Sequence, residues 1–257
     1  MNKRFALFSA MIVLSAFSLS AQRLFTIHAL KYPPFLGKNL PGQGITMEII
    51  RAALAAENAR AECVFMPVAR GTALMKSGEI PVGIFGFQLD GYPHLKPVGL
   101  GKTRVNLYTY NKDPQLVWNE ALDLIKYRVG SLRGLPSLSK LTDAGVAVDI
   151  SETPEVLIKK LRLGRIDIAI LIDATEFHLT TSLYPAERNL FRPMKKTWTE
   201  VTYGVVSNIE TAEGRAFFDA MGRGMRTIVE NGTYLRILEQ IYGKGQVPPD
   251  MRNPPEL

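Results

Sequence analysis

The 257-residue chain has one cysteine and three histidines. A single thiol excludes a disulfide framework and any cysteine-cluster metal site. Histidines so few and so far apart (His28, His94, His178) argue against a histidine-built zinc site. Charge of one sign is also scarce. Thirty-one Lys and Arg stand against 24 Asp and Glu, a surplus of 7. The surplus is spread along the chain and forms no basic stripe of the kind that tracks a nucleic-acid backbone. No Gly-x-Ser-x-Gly elbow or Ser-His-Asp order is present, and there is no low-complexity tract or solenoid-period repeat. Past the first 21 residues no apolar run is long enough to span a bilayer, which takes about 20 residues. What remains is an ordinary globular composition, 46% hydrophobic and 21% charged, long enough for about two domains.

Residues 1–21 read as an export signal. Lys3 and Arg4 precede an apolar run from Phe5 to Phe17, and Ser18-Leu19-Ser20 places small residues at alternate positions, with cleavage after Ser20 or Ala21. Removing Lys3 and Arg4 leaves 29 positive against 24 negative side chains. No cysteine follows that could take a lipid, so the expected product is a free periplasmic protein. Cys63, in Ala-Glu-Cys-Val-Phe, alternates as in a strand and reads as a buried, inert thiol.

The mature chain alternates strands and helices. Leu24–Leu30 is a strand ended by Tyr32-Pro33-Pro34-Phe35. Ile45–Ala56 carries Met47, Ile50, Ala53 and Leu54 at helical spacing. A strand over Ala61–Pro67, a helix over Ala69–Ser77 and a strand over Ile80–Phe87 complete a first βαβαβ set, and a further strand covers Val105–Tyr110. After a break at Asn111–Pro114 the pattern restarts. A short helix over Trp118–Ile125 precedes strands at Tyr127–Ser131, Val146–Val148 and Ile166–Ile172. Helices at Pro136–Ala144 and from Pro154 to near Leu163-Gly164 lie between these strands. Ile166–Ile172 is almost wholly apolar, as a strand buried on both faces must be. A strand at Thr202–Val206 and helices at Ala212–Glu230 and Tyr234–Tyr242 follow. The tail from Val247 holds four prolines and reads as poorly ordered.

Several of these segments resemble the extracellular solute-binding proteins of family 3, which include the periplasmic amino-acid receptors of ABC importers. The marks are Tyr32-Pro-Pro-Phe35, Gly44-Ile-Thr-Met-Glu48, Arg70-Gly-Thr-Ala-Leu74 with Ser77-Gly-Glu-Ile80, and Tyr127-Arg-Val-Gly130 leading to Arg133-Gly134. Leu163-Gly-Arg-Ile-Asp167 and Gly232-Thr-Tyr234 to Tyr242-Gly243 complete the set. The resemblance covers Leu24 to Gly243. It implies an α/β, two-lobed periplasmic-binding-protein-like fold of type II, each lobe a mostly parallel sheet flanked by helices. Lobe 1 is expected over residues 22–107 plus 203–257 and lobe 2 over 108–202. A small polar organic solute would bind in the cleft between them, without catalysis or cofactor, for delivery by a monomer to an ABC permease. A sensor or accessory module, or a dehydratase-like enzyme, would use the same scaffold.

Site residues follow from the resemblance and from position at strand ends, where ligands of α/β sheets dock. Tyr32 and Phe35 either stack on the ligand or pack a loop. Arg70 either clamps an anion or is a solvated surface group. Gly86, Phe87 and Gln88 end the third strand, Gly86 and Gln88 at positions of polar ligand contact, while Phe87 is equally a core residue. Arg133 and Ser137 open the first βα turn of lobe 2. Asp173 is either the acid that holds a ligand ammonium or a helix cap. Glu48, Asp173 and Glu176 are the carboxylates nearest the expected cleft. The Arg that binds an amino-acid carboxylate in such receptors is replaced by Pro93, and no Arg occurs between Arg70 and Arg104. The clamp for an α-amino-acid carboxylate is therefore missing from its expected place or moved.

Overall fold

A computed structural model describes residues 22–85, 89, 91–111, 117–132 and 137–255. The leader expected over 1–21 lies outside the described residues. Strand β1 (Arg23–Ala29) turns Phe25, Ile27 and Ala29 inward. It pairs in parallel with β2 (Ala59–Phe65) and with β3 (Val82–Ile84). Helix α1 (Ile45–Ala56) crosses from β1 to β2 and buries Met47, Ile50, Ala53 and Leu54, as their spacing requires. Helix α2 (Val68–Ser77) crosses to β3 and ends on Gly78 in the left-handed region. Of the expected third strand, Ile80–Phe87, the described ladder covers Val82–Ile84, and Gly86 and Phe87 lie outside the described residues.

Strand β4 runs over 16 residues, Leu95–Tyr110. Its first half was not legible as strand, since Pro97, Gly99 and Gly101 interrupt the pattern. The ladder shifts register between Gly99 and Gly101, so the glycines sit at an irregularity rather than in regular pairing. Beyond it, β5 (Val129–Leu132), α3 (Ser137–Asp143), β6 (Val148–Ser151), α4 (Pro154–Arg162) and β7 (Ile168–Ile172) form a second parallel set. Helix α4 is capped by Thr153, whose Oγ1 accepts from the Val156 amide. The segment from Trp118 forms only a 3-10 turn, Ala121–Leu124. Helix α5 (Asp173–Leu183) follows β7 directly, and β8 (Phe191–Pro193) lies on β4. Strand β9 (Thr199–Asn208), helices α6 (Ala212–Glu230) and α7 (Thr233–Tyr242), and a 3-10 turn at Pro249–Met251 follow.

The described strands form one nine-stranded sheet in the order β2-β1-β3-β9-β4-β7-β5-β6, with β8 also on β4. All parallel pairs lie within the two outer sets, and every antiparallel pair involves β4 or β9. Each outer set packs its own core. In the first lobe, Phe25 and Ile27 meet Ile50 and Leu54 of α1 and Phe217 and Met221 of α6. In the second, β7 divides its side chains: Ile168 and Ile170 join Val105, Leu107 and Trp118, while Ala169 and Leu171 join Tyr108, Leu157 and Ile158. That division is why the sequence of β7 is apolar throughout.

The proline-rich tail is packed, contrary to the sequence expectation. Val247 and Met251 are buried, the Tyr242 hydroxyl donates to Met251 Sδ at 3.3 Å, and the Pro255 ring lies against Gly99, where a Cβ would stand 2.4 Å from it. Two buried apolar side chains anchor the segment despite its four prolines. Cys63 is half-buried on β2, and burial pushes its thiol up to about 11, so it is protonated and unreactive.

The helix pair α1/α6 is close-packed at Gly224, where a Cβ would lie 2.0 Å from the Ala53 carbonyl oxygen. That neighbour is backbone and cannot swing away. Gly224→Ala should therefore destabilise the protein by at least the ~1–3 kcal/mol typical of overpacking, read from the midpoint of urea unfolding. A variant as stable as the parent would show that the helices separate without cost.

Candidate functional site

The turn after β1 brings its side chains to the junction of the two lobes. Tyr32 and Leu36 exchange backbone hydrogen bonds at 2.7 and 3.0 Å, and the Thr46 amide donates to Phe35 O at 3.1 Å. Phe35 is buried in the first core, edge-on to Tyr203 at 4.9 Å. Tyr32 is half-buried and packs against the cores of both lobes. Its hydroxyl is buried without a hydrogen-bond partner among the described residues, and burial pushes its pKa up to about 12.

Asp173 is the first residue of α5 and stands at the end of β7. It does not cap the helix: the capping position is Ile172 and no side chain bonds there. Its Oδ1 instead accepts from Asn106 Nδ2 at 2.8 Å and from the Tyr108 hydroxyl at 2.7 Å. Asn106 and Tyr108 occupy alternate positions of β4, so they share one face of the sheet, and the β4/β7 ladder sets Asn106 opposite Leu171. Burial raises the Asp173 carboxyl above its ordinary value, and the two hydrogen bonds and Arg104 only partly offset it. Burial, with both Asp173 and Glu176 nearby, holds the Tyr108 hydroxyl well above its usual range. Glu176 lies one turn further along α5, is 6% exposed, and is raised by burial to about 7 against the pull of Thr180 and Arg188.

The opposite side of α5 faces lobe 1. Thr175 Oγ1 donates to Pro33 O at 3.2 Å, and Ala174 belongs to the first core. Beside this contact is a cavity of about 330 Å³. Pro34, Ile45 and Glu48 line one wall, Phe177 and His178 of α5 another, and Ile241 of α7 a third. Asp173 does not line it, so the acidic cluster and this apolar-walled cavity are separate features. Among the described residues no group of three His, Cys, Asp or Glu could hold a metal.

Of the residues singled out from the sequence, Tyr32 and Asp173 are brought to the same junction. Phe35 is a core residue there. Arg70 is exposed in the first turn of α2 and makes no hydrogen bond or ion pair among the described residues. Gly86, Phe87, Gln88 and Arg133 lie outside the described residues, and Ser137 opens the seven-residue α3. Asn106 and Tyr108 were missed. Their signal was an amide inside the apolar strand Val105-Asn106-Leu107-Tyr108, which needs a buried partner.

No protein-family model and no curated protein sequence matches the chain. Solved structures do. The GluR0 ligand-binding core of Nostoc punctiforme in complex with L-glutamate is similar at 15% identity and a TM-score of 0.66, over 85% of this chain and 99% of that one. The substrate-binding protein of an amino acid ABC transporter is similar at 13% identity and a TM-score of 0.62, over 86% and 100%. A histidine kinase sensor domain with similarity to periplasmic binding proteins gives 15% and 0.65, over 86% and 97%. At these identities the likeness is one of fold: the chain has the two-lobed, type II periplasmic-binding-protein-like fold.

The protonation of Glu176 generates a pH dependence. Its carboxyl ionises near 4.5 when unperturbed and near 7 in the folded protein. Between those values the folded chain holds the extra proton, so stability falls as pH rises, by up to about 1.4 kcal/mol per pH unit, and levels off above the folded value. Glu176→Gln should flatten this slope in urea unfolding measured across that window. An unchanged slope in the variant would mean that Glu176 is ionised throughout.

Proposed function

We propose that the chain is a solute-binding protein that captures a small polar organic solute between its lobes and closes on it. The carrying observation is Asp173, a carboxylate at the end of a buried strand whose two hydrogen-bond donors both reach Oδ1. Oδ2 is left without a donor among the described residues. Residues 22–107 plus 203–257 would move as one lobe and 108–202 as the other, about the two strands β4 and β9. Tyr32, Asn106, Tyr108, Asp173 and Glu176 form the described part of the site. Gly86–Gln88 after β3, and Arg133 with Ser137 after β5, would complete its walls, with Arg70 and Phe35 at its margin. A ligand touching both lobes stabilises the closed arrangement by its differential affinity for it.

Residues 1–21 would direct export and be removed, leaving an unlipidated periplasmic monomer. No helix among the described residues is long and apolar enough to cross a membrane. The similar transporter protein supports delivery to an ABC permease, whereas the sensor domain supports a second reading, a binding module that signals without transport. Catalysis is not proposed. Asp173 and Glu176 lie on one helix, whereas proton transfer needs an acid and a base placed about a substrate.

A thermal-shift screen of amino acids, amines, organic acids and short peptides tests the reading. A bound solute should raise Tm with concentration as RT ln(1 + [L]/Kd), about 2.7 kcal/mol at 100 times Kd, and should reduce the radius of gyration in small-angle scattering. Asp173→Asn should remove both responses. A chain that none of these solutes stabilises or contracts would refute the proposal.

A further inference from the structure

Hydrogen-bond capacity at the junction is unbalanced in one direction. Asp173 Oδ2 and Asn106 Oδ1 have no donor among the described residues, and Asn106 Oδ1 is fully buried. The Tyr108 hydroxyl has spent its proton on Asp173. The carboxylate of Glu176, one helical turn from Asp173, adds further acceptors on the same side of α5, since residues three apart are neighbours on a helix. Donors among the described residues are few. Tyr32 offers one hydroxyl proton. Of the two cations whose fields reach the acids, Arg104 stands on the same strand face as Asn106 and Tyr108 and lies 3.8 Å from Glu200, and Arg188 donates to Thr181 with its guanidinium 4.4 Å from the Phe177 ring. An ammonium or guanidinium carries only donors, three or five, and a positive charge; a carboxylate carries only acceptors and a negative one. With Asp173, Glu176 and Glu200 set against Arg104 and Arg188, the balance of charge and of unused acceptors favours the first over the second.

We infer that the solute is an organic amine or guanidine that lacks a carboxylate, its cationic head bonded to Asp173 Oδ2 and Asn106 Oδ1 with Glu176 as the second counter-charge. This inference rests on the solute-binding reading above and narrows it. The half-buried ring of Tyr32, at the junction of the two lobes, supplies a face for an alkyl body. Glu176 is the residue that sets the preference, because a single carboxylate would be neutralised by the ammonium of a zwitterion, whereas the second remains to repel the zwitterion's carboxylate.

Matched pairs that differ only by the carboxylate test this directly: agmatine against arginine and cadaverine against lysine, titrated calorimetrically into the purified chain. At least one amine should bind about tenfold or more tightly than its amino-acid parent. Glu176→Gln should shrink that ratio toward unity, a change that a purely structural role for Glu176 would not produce. If the parents bind as well as or better than the amines, the inference fails while the solute-binding reading stands. If neither member of either pair binds, the inference is overturned; the broader screen then decides the reading itself. The unsubstituted chain decides between these outcomes even if the Gln variant does not fold.

Discussion

Hydrophobic clusters built on two separate sets of parallel strands are held together by the antiparallel ladder of β4 and β9. Strand β4 pairs with β9 from Leu95 to Val105, with β7 from Val105 to Tyr108 and with β8 from Tyr108 to Tyr110. At about 3.3 Å per residue, its 16 residues span about 50 Å, enough to belong to both lobes. Backbone pairing is thus continuous where side-chain packing is not. That combination keeps the lobes in register with each other while leaving their relative angle to the few side chains that bridge them, chiefly Tyr32 and the start of α5.

The same junction explains why a carboxylate can sit at the head of α5. Removing a charged group from water is costly unless it is bonded, and a hydrogen bond to a charged group returns about 1.5–3 kcal/mol. Asp173 has two such bonds, from Asn106 and Tyr108, and its position in the first turn also favours negative charge. Burial still prevails and its pKa is raised. Glu176, with less support, is raised to about 7. Two under-compensated acids on one helix turn are a cost to the empty protein that a cationic ligand would relieve, which is the physical link between the fold and the proposed specificity.

Much of this was legible before the structure. Helices Ile45–Ala56 and Ala212–Glu230 have the bounds that their apolar spacing and stop signals imply. The apolar run of β7 marked a strand covered on both faces. Helix α5 was not legible, because Ala174 packs into one lobe, Leu179 into the other, and Phe177 is 39% exposed, so no single apolar stripe exists to be read. The first half of β4 was hidden by Pro97, Gly99 and Gly101, and the tail by its prolines. In each case tertiary partners override a local signal.

The chain alone determined the α/β class, the two βαβ systems and the placing of Tyr32 and Asp173 just past strand ends, since these depend on periodicity and on turn signals. Only the tertiary structure decided that Asn106 and Tyr108 would bond Asp173 and that Phe35 would turn into the core. It also decided that Glu176 would be buried one turn from Asp173. The bonding of Asp173 depends on the pairing of β4 with β7, strands separated by more than 55 residues of intervening chain, and the burial of Phe35 on its contact with Tyr203 of β9; no local pattern encodes which side chains such distant elements will set face to face.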